Sequence, residues 1–305
     1  MRKNGEWIGI VTVIAVAVGL VVGACWAAEA AGRPKVLGIA YVTFKVTDLE
    51  KAKAFYGGEL GLGEATVKDG NAVQASYAVN QDQRVDLAKA AGTGGSYLVE
   101  IGLATNNLAK MREYLTAKGV PADRIMTRPD GSNYFVTGDP EGNRIVFVEQ
   151  KRSGEETGTP GAISHKLNHA GIIVKDAAAE DRFYEGVLGF HVYWHGGMKD
   201  DETNWMAMQV PDGTDWIEYM LLVPADADKH TRGVMYHISL GVPSVAAAAK
   251  ELEAKGYKFE EPKIGKDGKW QLNLYDPDDT RVELMEFTPV EKPCCSEFTG
   301  THPTP

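Results

Sequence analysis

Phe55–Gly61 reads FYGGELG and Phe183–Gly189 reads FYEGVLG, one phrase written twice, 128 residues apart. Its surroundings are duplicated with it. Val46 and Asp48 return as Val174 and Asp176 at the same offset. Farther on, DPEGNRIVFVE from Asp139 is answered by DPDDTRVELME from Asp276, and the offset has grown to 137. Leu103, Leu115, Ala117, Lys118 and Gly119 keep that second offset as Leu240, Leu252, Ala254, Lys255 and Gly256. Self-similarity sustained over half a chain means duplicated structural units. The nine residues gained between the two blocks are expected near His195–Asn204.

Within one copy the local signals alternate. Gly38–Val46 is β-branched and aromatic and reads as a strand. Asp48 caps a helix with Leu49, Ala52, Phe55 and Tyr56 on its apolar side, expected to end at Gly57-Gly58. Ala72–Val79, Arg84–Leu87 and Ser96–Leu103 read as strands, and Gly92–Gly95 as a break. Asn107–Lys118 reads as a helix closed by Gly119. Tyr134–Thr137 and Arg144–Glu149 flank the turn at Asp139-Pro140. Each copy is therefore strand, helix and strands, twice over. The expected fold class is α+β, with four βαβββ modules in two tandem domains. The domains span 37–150 and 165–288. Residues 151–164 link them, with Ser153–Pro160 the least apolar part, and 289–305 form an irregular tail.

The chain has 305 residues, 44% of them hydrophobic, enough for two cores. Its formal net charge of -10 excludes a nucleic acid partner, because an acidic surface repels phosphate. Arg2 and Lys3 precede an apolar stretch from Ile8 to Ala24, and small residues follow at Ala27, Ala28, Ala30 and Ala31. Residues 1–32 thus read as an export signal. Val22-Gly23-Ala24-Cys25 resembles a bacterial lipoprotein box, which would lipidate Cys25. Plain cleavage near Ala27 or Ala30 is the other reading. An uncleaved anchor is a third, since the stretch approaches the ~20 residues that span a bilayer. Every reading sends the folded part to the periplasm or beyond, with membrane attachment through the N-terminus in two of them. Beyond Cys25 only Cys294 and Cys295 remain. Neighbouring cysteines close only a strained ring, so no disulfide framework is expected.

The helix ending Phe-Tyr-x-x-x-Leu-Gly and the Asp-Pro turn before the last strand, four modules in register, resemble the vicinal oxygen chelate (VOC) superfamily. That group holds glyoxalase I, fosfomycin- and bleomycin-resistance proteins, methylmalonyl-CoA epimerase and extradiol dioxygenases. The resemblance covers residues 37–150 and 165–288. It implies metal ligands on the first and last strand of each module. His169 in LNHAGIIV, Glu218 in DWIEYMLL, His237 in MYHISL and Glu283 in RVELMEF stand there, the first pair 49 residues apart and the second 46. A single strand histidine is more often packed or solvated than ligating. Carboxylates in apolar strands, however, are costly to bury unless paired or bound to metal.

Two imidazoles and two carboxylates suit one divalent metal ion, Zn, Ni, Co, Fe or Mn. The resemblance then implies a glyoxalase I-like lyase or isomerase that stabilises an enediolate on that metal. Its small-molecule substrate would carry vicinal oxygens, and Glu283 or Glu218 would be the catalytic base. Two alternatives stand beside it: an extradiol-type ring-cleaving dioxygenase, and a non-enzymatic binding or resistance protein. In the first domain Tyr41, Glu100 and Val146 occupy the positions of His169, His237 and Glu283, with Asp86 the uncertain counterpart of Glu218. No metal is expected there. Trp194, Trp205, Trp216, Tyr219 and Trp270 are expected to divide between the core and a cavity mouth, and His191, His195 and His230 to face solvent. The assembly is expected to be a monomer or homodimer.

Overall fold

A computed structural model describes residues 32–65, 73–90, 98–129, 131–150 and 158–305. The segment expected to be an export signal, with Cys25, the expected Gly92–Gly95 break and most of the 153–160 linker lie outside the described residues. None of the described helices is long and apolar enough to cross a membrane.

The first domain runs β1 (Val36–Val46), α1 (Leu49–Lys53), β2 (Gly63–Glu64), β3 (Ala75–Ala78), β4 (Arg84–Lys89), β5 (Leu98–Thr105), α2 (Leu108–Ala117), β6 (Met126–Thr127), β7 (Asn133–Gly138) and β8 (Arg144–Glu149). The second repeats it as β9 (Lys166–Ile173), α3 (Ala177–Tyr184), β10 (His191–Gly196), β11 (Trp205–Gln209), β12 (Trp216–Met220), α4 (Lys229–Met235), β13 (His237–Val242), α5 (Val245–Ala254), β14 (Lys263–Ile264), β15 (Trp270–Tyr275) and β16 (Arg281–Glu286). Each domain is one eight-stranded sheet, ordered β2-β3-β4-β1-β5-β8-β7-β6 and β10-β11-β12-β9-β13-β16-β15-β14. The first strand of each module pairs parallel with its module's last strand. The two first strands of a domain pair antiparallel at the sheet centre. This is the expected α+β arrangement of four βαβββ modules.

Polar side chains start the helices. Asp48, Asn107, Asp176 and Ser244 each accept an amide hydrogen bond from three residues on, satisfying an orphan donor of the first turn. The Phe-Tyr helix does not stop at Gly57-Gly58. It widens into a turn over Ala54–Glu59, closed by Leu60 N–H on Phe55 O at 3.0 Å, and Leu188 on Phe183 repeats the closure. Gly57 is there for contact, since a Cβ would sit 2.7 Å from the Tyr77 ring. Gly61 and Gly189 then take the left-handed backbone (φ 67° and 76°) that glycine adopts without strain.

Sheet register also redistributes the nine extra residues. Ser76 aligns with Ala207, Asp86 with Glu218 and Glu100 with His237. Most of the insertion therefore falls between β12 and β13, where α4 stands, and only part near His195–Asn204. Cys294 and Cys295 are bonded to each other, contrary to the expectation from the sequence. The tail around them is irregular but packed. Phe298 lies against Tyr193 and Trp194, and Thr299 N–H donates to Tyr193 O.

The duplicated phrases meet across the two domains. Tyr56 O–H donates to Asp276, and Tyr184 O–H to Asp139, both at 3.2 Å. Thr47 donates its N–H and hydroxyl to Asp278 at 2.7 and 2.6 Å. Reciprocally, Lys175 and Asp176 donate their N–H groups to Glu141 at 2.6 and 2.8 Å. Each Asp-Pro turn thus caps the helix entrance of the other domain. Between these two clasps, Gln83 accepts the N–H of Leu167 and Asp215 that of Ile39, and the two side chains bond each other at 3.1 Å. Asp215 also pairs with buried Lys166 at 3.0 Å. A single buried cluster runs through both domains, so they fold against each other.

Candidate metal centre

His169, Glu218, His237 and Glu283 come from β9, β12, β13 and β16, four adjacent strands at the centre of the second sheet. Gly171 on β9 faces both Glu218 and His237, while Ser239 on β13 faces both His169 and Glu283. Alternation along the strands therefore puts all four side chains on one face. Gly171 makes room for them, because a Cβ there would lie 2.1 Å from the His237 ring.

One ligand atom each from His169, Glu218 and His237 lies within 4.8 Å of the other two. His169 Nε2 is 3.0 Å from His237 Nε2, and Glu218 Oε2 is 3.2 Å from His237 Nε2. Glu283 Oε2 stands 3.7 Å from His169 Nε2, beside the tighter three, and is buried without a hydrogen-bond partner. Ligand atoms on one ion at bond lengths of roughly 2.0–2.2 Å are themselves about 3–4 Å apart, which matches these separations. His237 Nδ1 lies 3.0 Å from the Met235 carbonyl, which can only accept. The proton is therefore on Nδ1, and Nε2 turns a lone pair inward. Burial drives both imidazoles well below their ordinary pKa, so both are neutral. Burial also pushes the Glu283 carboxyl up to about 8, with Glu218 adding to the shift and Arg281 opposing it. Neutral imidazoles and crowded carboxylates fit a divalent cation.

The site opens into a cavity of about 330 Å³ walled by Trp194, Trp205, Lys263, Lys266, Asp267 and Arg281. Of the expected aromatic residues, Trp216 instead packs on His169 with ring centres 4.8 Å apart, and Tyr219 is buried in the core. Trp270 is on the surface, and His191 and His195 are only partly exposed. Two residues on this face were not anticipated from the sequence. Arg281 Nη2 donates to His237 Nε2 at 2.7 Å. Lys269 is fully buried among Tyr193, Trp216 and Phe298, and burial pulls its ammonium down to about 8. The clue to Arg281 was its recurrence as Arg144. Lys269 has no matching signal.

Register identifies Asp86 as the counterpart of Glu218. The first domain fills the equivalent face differently. Tyr41 O–H donates to Glu100 at 2.5 Å and accepts from Arg128 at 2.8 Å. Arg144 donates to the other oxygen of Glu100, and the guanidinium of Arg84 lies 4.3 Å above the Tyr41 ring while pairing with Asp86. Tyr41 and Glu100 with their arginine partners thus stand where the second domain holds two neutral imidazoles.

This duplicated sheet matches the Glyoxalase/Bleomycin resistance protein/Dioxygenase superfamily over residues 38–147 and 166–284, and the chain belongs to that superfamily. Among solved structures it is similar to the 2,3-dioxygenase LapB from Pseudomonas sp. KL28, with 18% identity and a TM-score of 0.65 over 90% of this chain and 96% of that one. The Mn(II)-bound glyoxalase from Novosphingobium aromaticivorans gives 18% identity and a TM-score of 0.63 over 87% and 86%. Homoprotocatechuate 2,3-dioxygenase from Arthrobacter globiformis gives 17% and 0.61 over 83% and 80%. At such identities the likeness is one of fold. No curated protein matches the sequence.

Proposed function

We propose that the chain is an exported, metal-dependent enzyme of this superfamily, a glyoxalase I-like lyase or isomerase. It would move a proton on a small substrate with two adjacent oxygens. The carrying observation is Glu283: a buried carboxylate, its Oε2 unpartnered, 3.7 Å from His169 Nε2 and next to the tighter group of three. A divalent ion held by His169, Glu218 and His237 would supply Lewis acidity, polarising the substrate oxygens. Glu283 would take the proton from the carbon beside the carbonyl and return it to the neighbouring carbon. A carboxyl raised to about 8 is a stronger base than an ordinary carboxylate. Trp194 and Trp205 would exclude water along the cavity wall.

A second reading is a ring-cleaving dioxygenase. Two tryptophans on the wall suit an aromatic ring, and two of the similar structures named above are 2,3-dioxygenases. Export rests on the pattern of residues 2–31, and cell fractionation tests it. Metal analysis of the purified chain should find about one divalent ion, absent from His237→Ala. A wild type that binds no divalent ion removes both enzymatic readings. With metal bound, methylglyoxal consumption with a thiol supports the first reading, and oxygen uptake with a catechol supports the second.

A further inference from the structure

We infer that Arg281 is an anion-binding residue of the cavity that links carboxylate binding to metal binding. Arg281 and Arg144 occupy equivalent positions on β16 and β8. Arg144 has an anion, since its Nε donates to Glu100 at 2.5 Å. The position of Glu100 is taken by His237 in the second domain, and His237 Nε2 offers one neutral lone pair. Arg281 spends Nη2 on that lone pair at 2.7 Å, while its Nε is buried with no acceptor. Glu283, two residues along the strand, acts on the guanidinium through space, but among the described residues no carboxylate is hydrogen-bonded to it as Glu100 is to its twin. The guanidinium faces the cavity, whose rim carries two more cations, Lys263 and Lys266. A planar fork with unused donors is suited to a carboxylate, which takes two parallel hydrogen bonds.

The coupling follows from the shared lone pair. His237 Nε2 accepts from Arg281 or coordinates a cation; it does not do both. A carboxylate that draws the guanidinium into the cavity frees the nitrogen for metal. By reciprocity, metal binding frees the guanidinium for the carboxylate. The substrate class is accordingly a carboxylate-bearing molecule with two metal-binding oxygens. This inference rests on the metal reading given above.

The test is Mn²⁺ titration of the purified full chain by calorimetry, alone and with saturating benzoate, with neutral benzamide as control. A hydrogen bond from a charged donor contributes ~1.5 kcal/mol, about tenfold in affinity. Arg281→Gln should therefore bind Mn²⁺ about tenfold more tightly than wild type. Benzoate should tighten Mn²⁺ binding severalfold in wild type and not in the variant, and benzamide in neither. Arg281→Lys keeps the charge without the fork and should lose most of the benzoate effect; it is the variant to use if circular dichroism shows the glutamine variant misfolded. Equal Mn²⁺ affinity in wild type and variant overturns the inference and leaves the metal reading standing. So does a benzoate effect that survives in Arg281→Gln, which would mean direct coordination of the carboxylate. No saturable Mn²⁺ binding by either protein removes the metal reading and this inference together.

Discussion

Replacing Asp278 with alanine opens one of the two clasps between the domains. The Asp278 side chain is 1% exposed and accepts two hydrogen bonds, from Thr47 N–H at 2.7 Å and Thr47 O–H at 2.6 Å. Hydrogen bonds to a charged acceptor contribute about 1.5 kcal/mol each, and the Thr47 groups, on an exposed residue, can turn to water once the acceptor is gone. Relief of the carboxylate's own burial offsets part of that contribution, leaving a net cost of about 2–3 kcal/mol. With a urea slope of roughly 2–3 kcal/mol per molar, the midpoint should fall by about 1 M. The assay can also locate the damage. Trp194, Trp205, Trp216 and Trp270 are the only tryptophans after residue 31, and all lie in the second half. Fluorescence thus reports the second domain, while far-ultraviolet circular dichroism reports both. The two transitions should coincide in wild type and separate in Asp278→Ala. A loss below about 0.5 kcal/mol with coincident transitions would refute the view that the turn holds the domains together.

Three further outcomes can be measured. Glu180 is buried, and desolvation with nearby Asp139 lifts its carboxyl to about 8 from a usual 4.5. The folded chain thus keeps a proton that the unfolded chain releases, so this contribution is full below pH 4.5 and is lost as pH rises toward 8. Glu180→Gln should flatten the stability profile between those limits by up to ~1.4 kcal/mol per pH unit, and an unchanged slope in urea titrations counts against it. Gly171→Ala should drive the His237 ring aside, since the new Cβ would lie 2.1 Å from it; metal affinity should fall at least about tenfold with the far-ultraviolet spectrum retained, as for other losses of ligand support. Phe298→Ala removes a ring packed 4.8 Å from Tyr193 and 4.9 Å from the Lys269 ammonium. It should cost about 2–3 kcal/mol in thermal unfolding and shift Trp194 emission to the red; an unshifted spectrum would mean the tail does not shield that face.

The fold was legible because duplication is written in spacing. The Phe-Tyr and Asp-Pro phrases fix strand, helix and turn at constant offsets, and strand period puts His169, Glu218, His237 and Glu283 on equivalent module strands. What the spacing lacked was partners across space. Nothing local marks Asp278 as the acceptor of Thr47, or Gln83 as the acceptor of Leu167, because those contacts exist only after the domains meet. Sequence alone offers Arg281 no partner, since its hydrogen bond to His237 depends on which strands are neighbours. The insertion was misplaced because the matched blocks bracket it without dividing it; only the pairing of β9 with β12 and β13 does that. The Cys294–Cys295 bond was set aside on ring strain, a local argument that did not consider the Tyr193 and Trp194 surface against which the tail packs.

The reciprocal clasp bears on ancestry. A single ancestral half would have carried both unpaired N–H groups just ahead of its helix and a free Asp-Pro turn. It would have completed both by pairing with another copy of itself. The present chain is in effect such a homodimer, joined head to tail. Joining fixed the two copies at equal dose and guaranteed that each always met the other. Under that guarantee the first copy can carry Tyr41 and Glu100 where the second carries His169 and His237, and still be indispensable as its sibling's other half.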